Sequence, residues 1–312
     1  MNQQIVNKKT VLADLSLFFV AIFWGSNFII TKEALEIIYP FTYLGLRFSL
    51  AALLLAPFFW KRLIKAPARD YLDGSLIGLF LFGGFAFQTV GLLYTTPANS
   101  GFITGTAVVI VPFLYFLTTR RSPGLWAYLG GILAAAGLYL LSANETAGFG
   151  FGDALTLVCA FLFAAHLVAI AIYVKRSDAI VLAVTQIAIT GVASFVVAVV
   201  FEPTAVMFDQ PFLIWGAILY AVIFCTIGAF VTQTIAQRYT PPTHAVLILS
   251  LEAVFAGLFS YLFWGEIFTL LKLSGALLIL AGILITELHP VLAARAAARR
   301  AAIVRRGAPP LE

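Results

Sequence analysis

"QTVGLLYTTPANS" occupies residues 88–100, and "QTIAQRYTPPTHA" occupies residues 233–245. Laid over each other without a gap, at an offset of 145, they pair Gln88 with Gln233, Thr89 with Thr234, Tyr94 with Tyr239, Thr95 with Thr240 and Pro97 with Pro242. The same offset continues downstream through Gly130/Gly275, Ala136/Ala281 and Gly137/Gly282. Near the start of each half the offset is 139, matching Asp14 with Asp153, Trp24 with Phe163, Asn27 with His166 and Arg47 with Gln186. A six-residue slip in the loop before the third apolar span of each half reconciles the two registers. The chain therefore states one unit twice.

Composition decides the solvent in which this unit folds. Hydrophobic residues make up 62% of the 312 and charged residues only 11%, with a mean hydropathy of +1.02. A soluble domain runs at ~45–50% apolar and ~25% charged, so the bilayer is the expected solvent. Spanning it takes ~20 mainly apolar residues. Ten such stretches are read at 12–31, 41–60, 72–94, 98–118, 124–141, 152–174, 180–201, 212–237, 243–264 and 268–288. The breaks carry helix stops such as Tyr39-Pro40, Ala66-Pro67, Ser122-Pro123 and Pro241-Pro242. The predicted class is an all-α polytopic membrane protein of ten transmembrane helices in two inverted five-helix repeats. Residues 1–146 form the first repeat, 147–290 the second and 291–312 a basic tail.

The inversion follows from arithmetic. A unit with an odd number of spans, repeated in tandem, enters the membrane from opposite sides. Loop charge sets the direction: with the N-terminus inside, the inner segments hold Lys8, Lys9, Lys61, Arg62, Lys65, Arg69, Arg120, Arg121, Lys175, Arg176, Arg238 and the five tail arginines, sixteen of the 19 basic residues. That bias places both termini in the cytoplasm and requires an even span count. The first span lacks a small-residue cleavage site and is expected to stay as a helix rather than leave as a signal peptide.

The net charge of +5 comes mostly from loops and tail, which argues against nucleic-acid binding. The two cysteines, Cys159 and Cys225, lie singly in apolar runs, with no metal-ligand or disulfide spacing. No cofactor and no metal are expected. An intramembrane lipid-modifying enzyme is the competing class, but no HExxH, Ser/His pair, aspartate pair or phosphate loop supplies its chemistry.

Polar residues deep in the spans are the candidate site, because a charge at the bilayer centre costs ~2.5–3.5 kcal/mol on insertion scales and is kept for function. Glu252 and His166 fall near mid-depth in spans 9 and 6 and are candidates for a proton relay. Asn27, Gln88, Gln233, Thr104 and Ser250 are neutral at similar depth. Trp24 and Phe163 precede Asn27 and His166 by three residues, on the same helix face. An aromatic and a polar group on each of two inverted helices could clamp a flat amphipathic ligand. Arg47, about 9–10 Å below the outer surface at ~1.5 Å per residue, is read as a structural charge. Glycines at 74, 78, 83, 84, 91, 101 and 105 favour close helix packing. Inverted repeats around a polar mid-depth site are the sequence pattern of secondary transporters.

"FWGSNFIITK" (23–32) and "LEAVFAGLFSYLFWGEIFTLLKLSGALLILAGILI" (251–285) resemble the two ends of EamA-type members of the drug/metabolite transporter superfamily. The resemblance covers residues ~12–288 by the same span count. It implies a ten-helix bacterial inner-membrane carrier, with a central cavity lined by helices 1, 3, 4, 6, 8 and 9. It directs Trp24, Asn27, Gln88, Thr104, Phe163, His166, Gln233, Ser250 and Glu252 toward that cavity. The family often has proline after the helix-9 glutamate; here Ala253 stands in its place, so the usual source of a kink is missing. The expected function is export of small amphipathic metabolites, foremost aromatic or neutral amino acids and also xenobiotics, by alternating access. A proton-coupled drug or nucleoside carrier is the alternative. The expected partners are the small-molecule substrate and the lipid bilayer, with the chain a monomer or weak homodimer.

Overall fold

The computed structural model describes residues 8–142, 150–203, 208–264, 269–271 and 273–286. The predicted basic tail and the loop at 143–149 lie outside the described residues. Every regular element among the described residues is helical. The helices are α1 (Lys8–Ala34), α2 (Pro40–Lys65), α3 (Ala68–Tyr94), α4 (Pro97–Gly105 continued by Ala107–Thr119), α5 (Leu125–Ser142), α6 (Phe151–Tyr173) and α7 (Ala179–Phe201). They continue as α8 (Phe212–Tyr220, Ala221–Gly228 and Ala229–Ala236), α9 (Pro242–Leu249 and Leu251–Trp264) and α10 (Leu273–Thr286). Eight of the ten are long and apolar enough to cross a membrane, and α5 and α10 are shorter apolar helices. Each observed helix falls on one of the ten predicted spans.

The ends are fixed by side chains rather than by apolar pattern. Pro40 and Pro242 open α2 and α9 in the first turn, where a missing N–H costs nothing. The Glu202 carboxylate, at the end of α7, accepts from the backbone N–H groups of Phe41 (2.8 Å) and Thr42 (2.7 Å) and so caps α2. Asp178 caps α7 by accepting from Ile180 N and Val181 N. Arg176, in the α6–α7 loop, donates through Nε and Nη2 to the two oxygens of Asp73 on α3, and Ser177 adds a third bond to the same carboxylate. This fork pulls the charged end of Arg176 toward α3, and the pairing holds its guanidinium pKa above the ordinary value.

Helices pack mainly across the two halves. α2 lies along α7, α3 along α6 and α7, and α1 along α9 and α8. Two large apolar cores result, beside a smaller cluster of Ile77 on α3 with residues of α6 and α7. One joins α1, α4, α5, α6, α9 and α10 with the end of α8; the other joins α2, α3, α7 and α8, and Trp24 packs against both. α5 and α10 cross glycine on glycine. A Cβ added to Gly130 would lie 2.7 Å from Gly282 O, and one added to Gly282 would lie 2.6 Å from Gly130 O. Gly137 abuts Gly275 in the same way. In the 145 register Gly130 corresponds to Gly275 and Gly137 to Gly282. Each glycine thus meets the counterpart of the other, the reciprocal contact of a two-fold axis.

Candidate functional site

A cavity of about 720 Å³ of empty space, its open mouth included, lies between the two cores. Its wall comes from α1, α2, α3, α6, α8 and α9. Four helices contribute the same local arrangement, an aromatic residue followed three positions later by a polar one: Trp24 and Asn27 on α1, Phe85 and Gln88 on α3, Phe163 and His166 on α6, Phe230 and Gln233 on α8. The i, i+3 spacing keeps each pair on one helix face. The rings form a continuous cluster. Phe85 lies 5.2 Å from Phe163 and 6.0 Å from Phe230, and Trp24 lies 5.3 Å from Phe230, centroid to centroid.

Seven of the nine sequence candidates line this cavity: Trp24, Asn27, Gln88, Phe163, His166, Gln233 and Glu252. Thr104 and Ser250 do not. The Thr104 hydroxyl accepts from Gln88 Nε2 at 3.1 Å and also faces Cys159 Sγ, so it stands behind Gln88, and α4 supplies none of the described residues of the wall. Ser250 turns its hydroxyl back to Leu247 O at 2.6 Å. There it marks a break in α9: Ala253 N bonds to Ser250 O, three residues back instead of four. The helix is interrupted without the proline. The break puts Glu252 in the first turn of the segment Leu251–Trp264, where the helix dipole favours a carboxylate. α4 breaks at Thr106, within one residue of the equivalent position.

Arg47, read from sequence as a structural charge, is itself part of the wall. Its Nε donates to Thr226 Oγ1 at 2.7 Å and its Nη2 to Cys225 O at 3.2 Å. Its guanidinium carbon lies 5.1 and 5.0 Å from the rings of Phe48 and Phe85. The same Cys225 carbonyl takes a bond from Trp24 Nε1 at 3.0 Å. Gln186, the counterpart of Arg47, bonds to His166 and to Thr234. Since its Nε2 donates to Thr234 Oγ1 (2.9 Å), its Oε1 accepts from His166 Nε2 (2.7 Å). That places a proton on Nε2 and leaves Nδ1 as the nitrogen where a second proton would be taken up or lost.

At the two ends of the bundle the repeated Tyr-Thr of the opening stretch makes one bond twice. Thr95 Oγ1 donates to Asp153 Oδ1 at 2.6 Å, and Thr240 Oγ1 donates to Asp14 Oδ1 at 2.6 Å. Each joins one half to the first helix of the other. The first lies at the end of α1 where Lys32 Nζ bonds Leu92 O and Thr95 O; the second lies near its start, where Thr10 meets Tyr239 O.

These features define a multi-pass helical membrane protein, built on an internal two-fold, with an aromatic and polar cavity among its helices. The model of the EamA-like transporter family matches twice, at residues 11–143 and 150–288, and the chain belongs to that family. An uncharacterized transporter of Archaeoglobus fulgidus is 38% identical over 285 residues, covering 90% of this chain and 87% of the relative. The uncharacterized transporter YetK of Bacillus subtilis is 26% identical over 305 residues, covering 90% and 88%. The uncharacterized inner membrane transporter YedA of Escherichia coli K12 is 31% identical over 150 residues, 46% and 48% of the two chains. A solved crystal structure superposes with a TM-score of 0.73 at 20% identity, over 89% of this chain and 97% of its own, which supports the fold. The protein is a membrane transporter.

Proposed function

We propose that the protein is a secondary carrier that moves small amphipathic metabolites, foremost aromatic and neutral amino acids, out of the cell by alternating access. The observation that carries this reading is the fourfold aromatic–polar wall, drawn equally from both halves. Stacked rings favour a flat apolar side chain, and amide, imidazole and carboxyl groups favour a polar head. The wall holds few charges, which disfavours a strongly anionic cargo such as a nucleotide. Thr95–Asp153 and Thr240–Asp14 are suited to act as the two gates. Glu252 and His166 are the cavity groups able to carry a proton. The excess of inner Lys and Arg supports both termini in the cytoplasm.

The test is counterflow in liposomes loaded with unlabelled amino acids, following labelled phenylalanine, tryptophan, leucine, threonine and glutamate with and without a pH gradient. Saturable uptake of the aromatic and neutral set, above glutamate, is expected. Correctly folded protein that exchanges none of the five refutes the substrate class. Glu252→Gln should abolish gradient-driven accumulation; full accumulation in this variant removes Glu252 from the proton path.

A further inference from the structure

We propose that the cavity holds its cargo as a zwitterion, with the carboxylate on Arg47 and the ammonium on an acceptor cluster of Glu252, Asn27 Oδ1 and Gln233 Oε1. The inference rests on the amino-acid reading above and specifies how such a molecule is oriented.

Arg47 carries more charge than its structural contacts need. It is only 1% exposed, yet both of its hydrogen-bond acceptors, Thr226 Oγ1 and Cys225 O, are neutral. The ion pairs among the described residues are Arg62–Asp178, Arg69–Asp73 and Arg176–Asp73, and none involves Arg47. A buried cation without a counter-ion is costly, and two flanking rings offset only part of that cost. The other half of the molecule shows what the fold alone requires. At the equivalent position Gln186 donates to a threonine hydroxyl on the same helix, α8, with no charge. The repeat places an uncharged amide at that position, so the repeated fold does not itself demand a charge at Arg47. A guanidinium has five N–H donors in a planar fork that matches a carboxylate.

The acceptor side shows the opposite deficit. Asn27 Oδ1 and Gln233 Oε1 are buried without hydrogen-bond partners, although their residues are only 9% and 1% exposed. Glu252 lines the same cavity and has no hydrogen bond or ion pair to any described residue. Asn27 and Glu252 are brought together by the contact of α1 with α9, where a Cβ on Gly25 would lie 2.8 Å from Glu252 O. Three acceptors without donors call for a ligand with several N–H groups, and an ammonium has three. Arg47 lies on α2 against Phe85, and the ring cluster runs from Phe85 through Phe230 to Trp24 on α1. A ligand with a carboxylate, an ammonium and an apolar ring meets all three surfaces.

The experiment is equilibrium binding of labelled phenylalanine to the purified full-length protein, competed by phenylalanine, by phenethylamine, which lacks the carboxylate, and by 3-phenylpropionate, which lacks the ammonium. Each analogue should compete at least about tenfold more weakly than phenylalanine, the scale of one charge-assisted hydrogen bond. Arg47→Gln should erase the advantage of phenylalanine over phenethylamine and keep its advantage over 3-phenylpropionate. Glu252→Gln should do the reverse. A purely structural role for Arg47 would weaken all three competitors alike and overturn the assignment. Should Arg47→Gln fail to fold, the wild-type ratios decide: an analogue that competes as well as phenylalanine overturns the proposal. If phenylalanine binds without discrimination, the carrier reading stands and the zwitterion site falls. If no amino acid binds while another solute exchanges in liposomes, both fall.

Discussion

Helices α3 and α8 hold equivalent places in the two halves and carry the same Phe-x-x-Gln, yet they are built differently. α3 is one unbroken α-helix from Ala68 to Tyr94. It presses against α7 so closely that a Cβ on Gly78 would sit 3.0 Å from the Gln186 backbone and 2.8 Å from Ile189 Cβ. α8 opens in its middle into a wide turn over the eight residues Ala221–Gly228, bonded at a spacing of five residues instead of four. There the Thr226 hydroxyl reaches back five residues to Ala221 O while accepting from Arg47, and Cys225 O receives Trp24 and Arg47. One copy of the unit serves as a stiff wall. The other has given up regular hydrogen bonding to hold a cation and an indole, as such wide turns often do at functional sites.

The largest expected effect tests the stiff wall. Gly78→Val should destabilise the protein by about 1–3 kcal/mol or more through overpacking, read as a fall in melting temperature in detergent. Gly216, in α8, has open space around it, so Gly216→Ala should be neutral or stabilising by up to ~1 kcal/mol. Equal losses at both sites would dissolve the contrast. Thr226→Val comes next. It removes the acceptor of a buried guanidinium and the five-residue back-bond together, and should cost about 1–3 kcal/mol. A structure of the variant should show α8 returned to regular α-helix; an unchanged wide turn would mean that Arg47 does not hold it open. The smallest effect separates the paired glutamines. Gln88→Leu loses its bond to Thr104, worth ~0.6 kcal/mol on average between membrane helices. Gln233→Leu loses no bond at Oε1, so it should leave the melting temperature unchanged while weakening amino-acid binding.

Much of this architecture was legible because the bilayer enforces it. Span length, loop charge and the 145-residue echo follow from the cost of leaving backbone and charge in hydrocarbon. What the sequence hid shares one cause: within helices apolar on all sides, depth can be read but direction cannot. Thr104 and Ser250 have the right depth, but one stands behind Gln88 and the other turns back onto its own helix. Arg47 has the right depth and faces the cavity. "AVIFCTIG" is uniformly apolar and gives no sign of a wide turn. The break at Ser250 needs no proline because the serine hydroxyl bonds the backbone itself. Phe85 and Phe230 were within reach. They precede Gln88 and Gln233 by the spacing that singled out Trp24 and Phe163, and the pattern had only to be followed into the third helix of each half.

The Thr95–Asp153 and Thr240–Asp14 bonds have the same donor type, the same acceptor type and the same 2.6 Å length at opposite faces of the molecule. In the proposed carrier the same Thr–Asp chemistry would latch both ends, with Lys32 adding two further bonds at the Thr95 end. As the secondary carrier proposed above, the protein would be a reversible exchanger. Its net flow is set by the concentrations and potentials of the two compartments, and it reverses when they do.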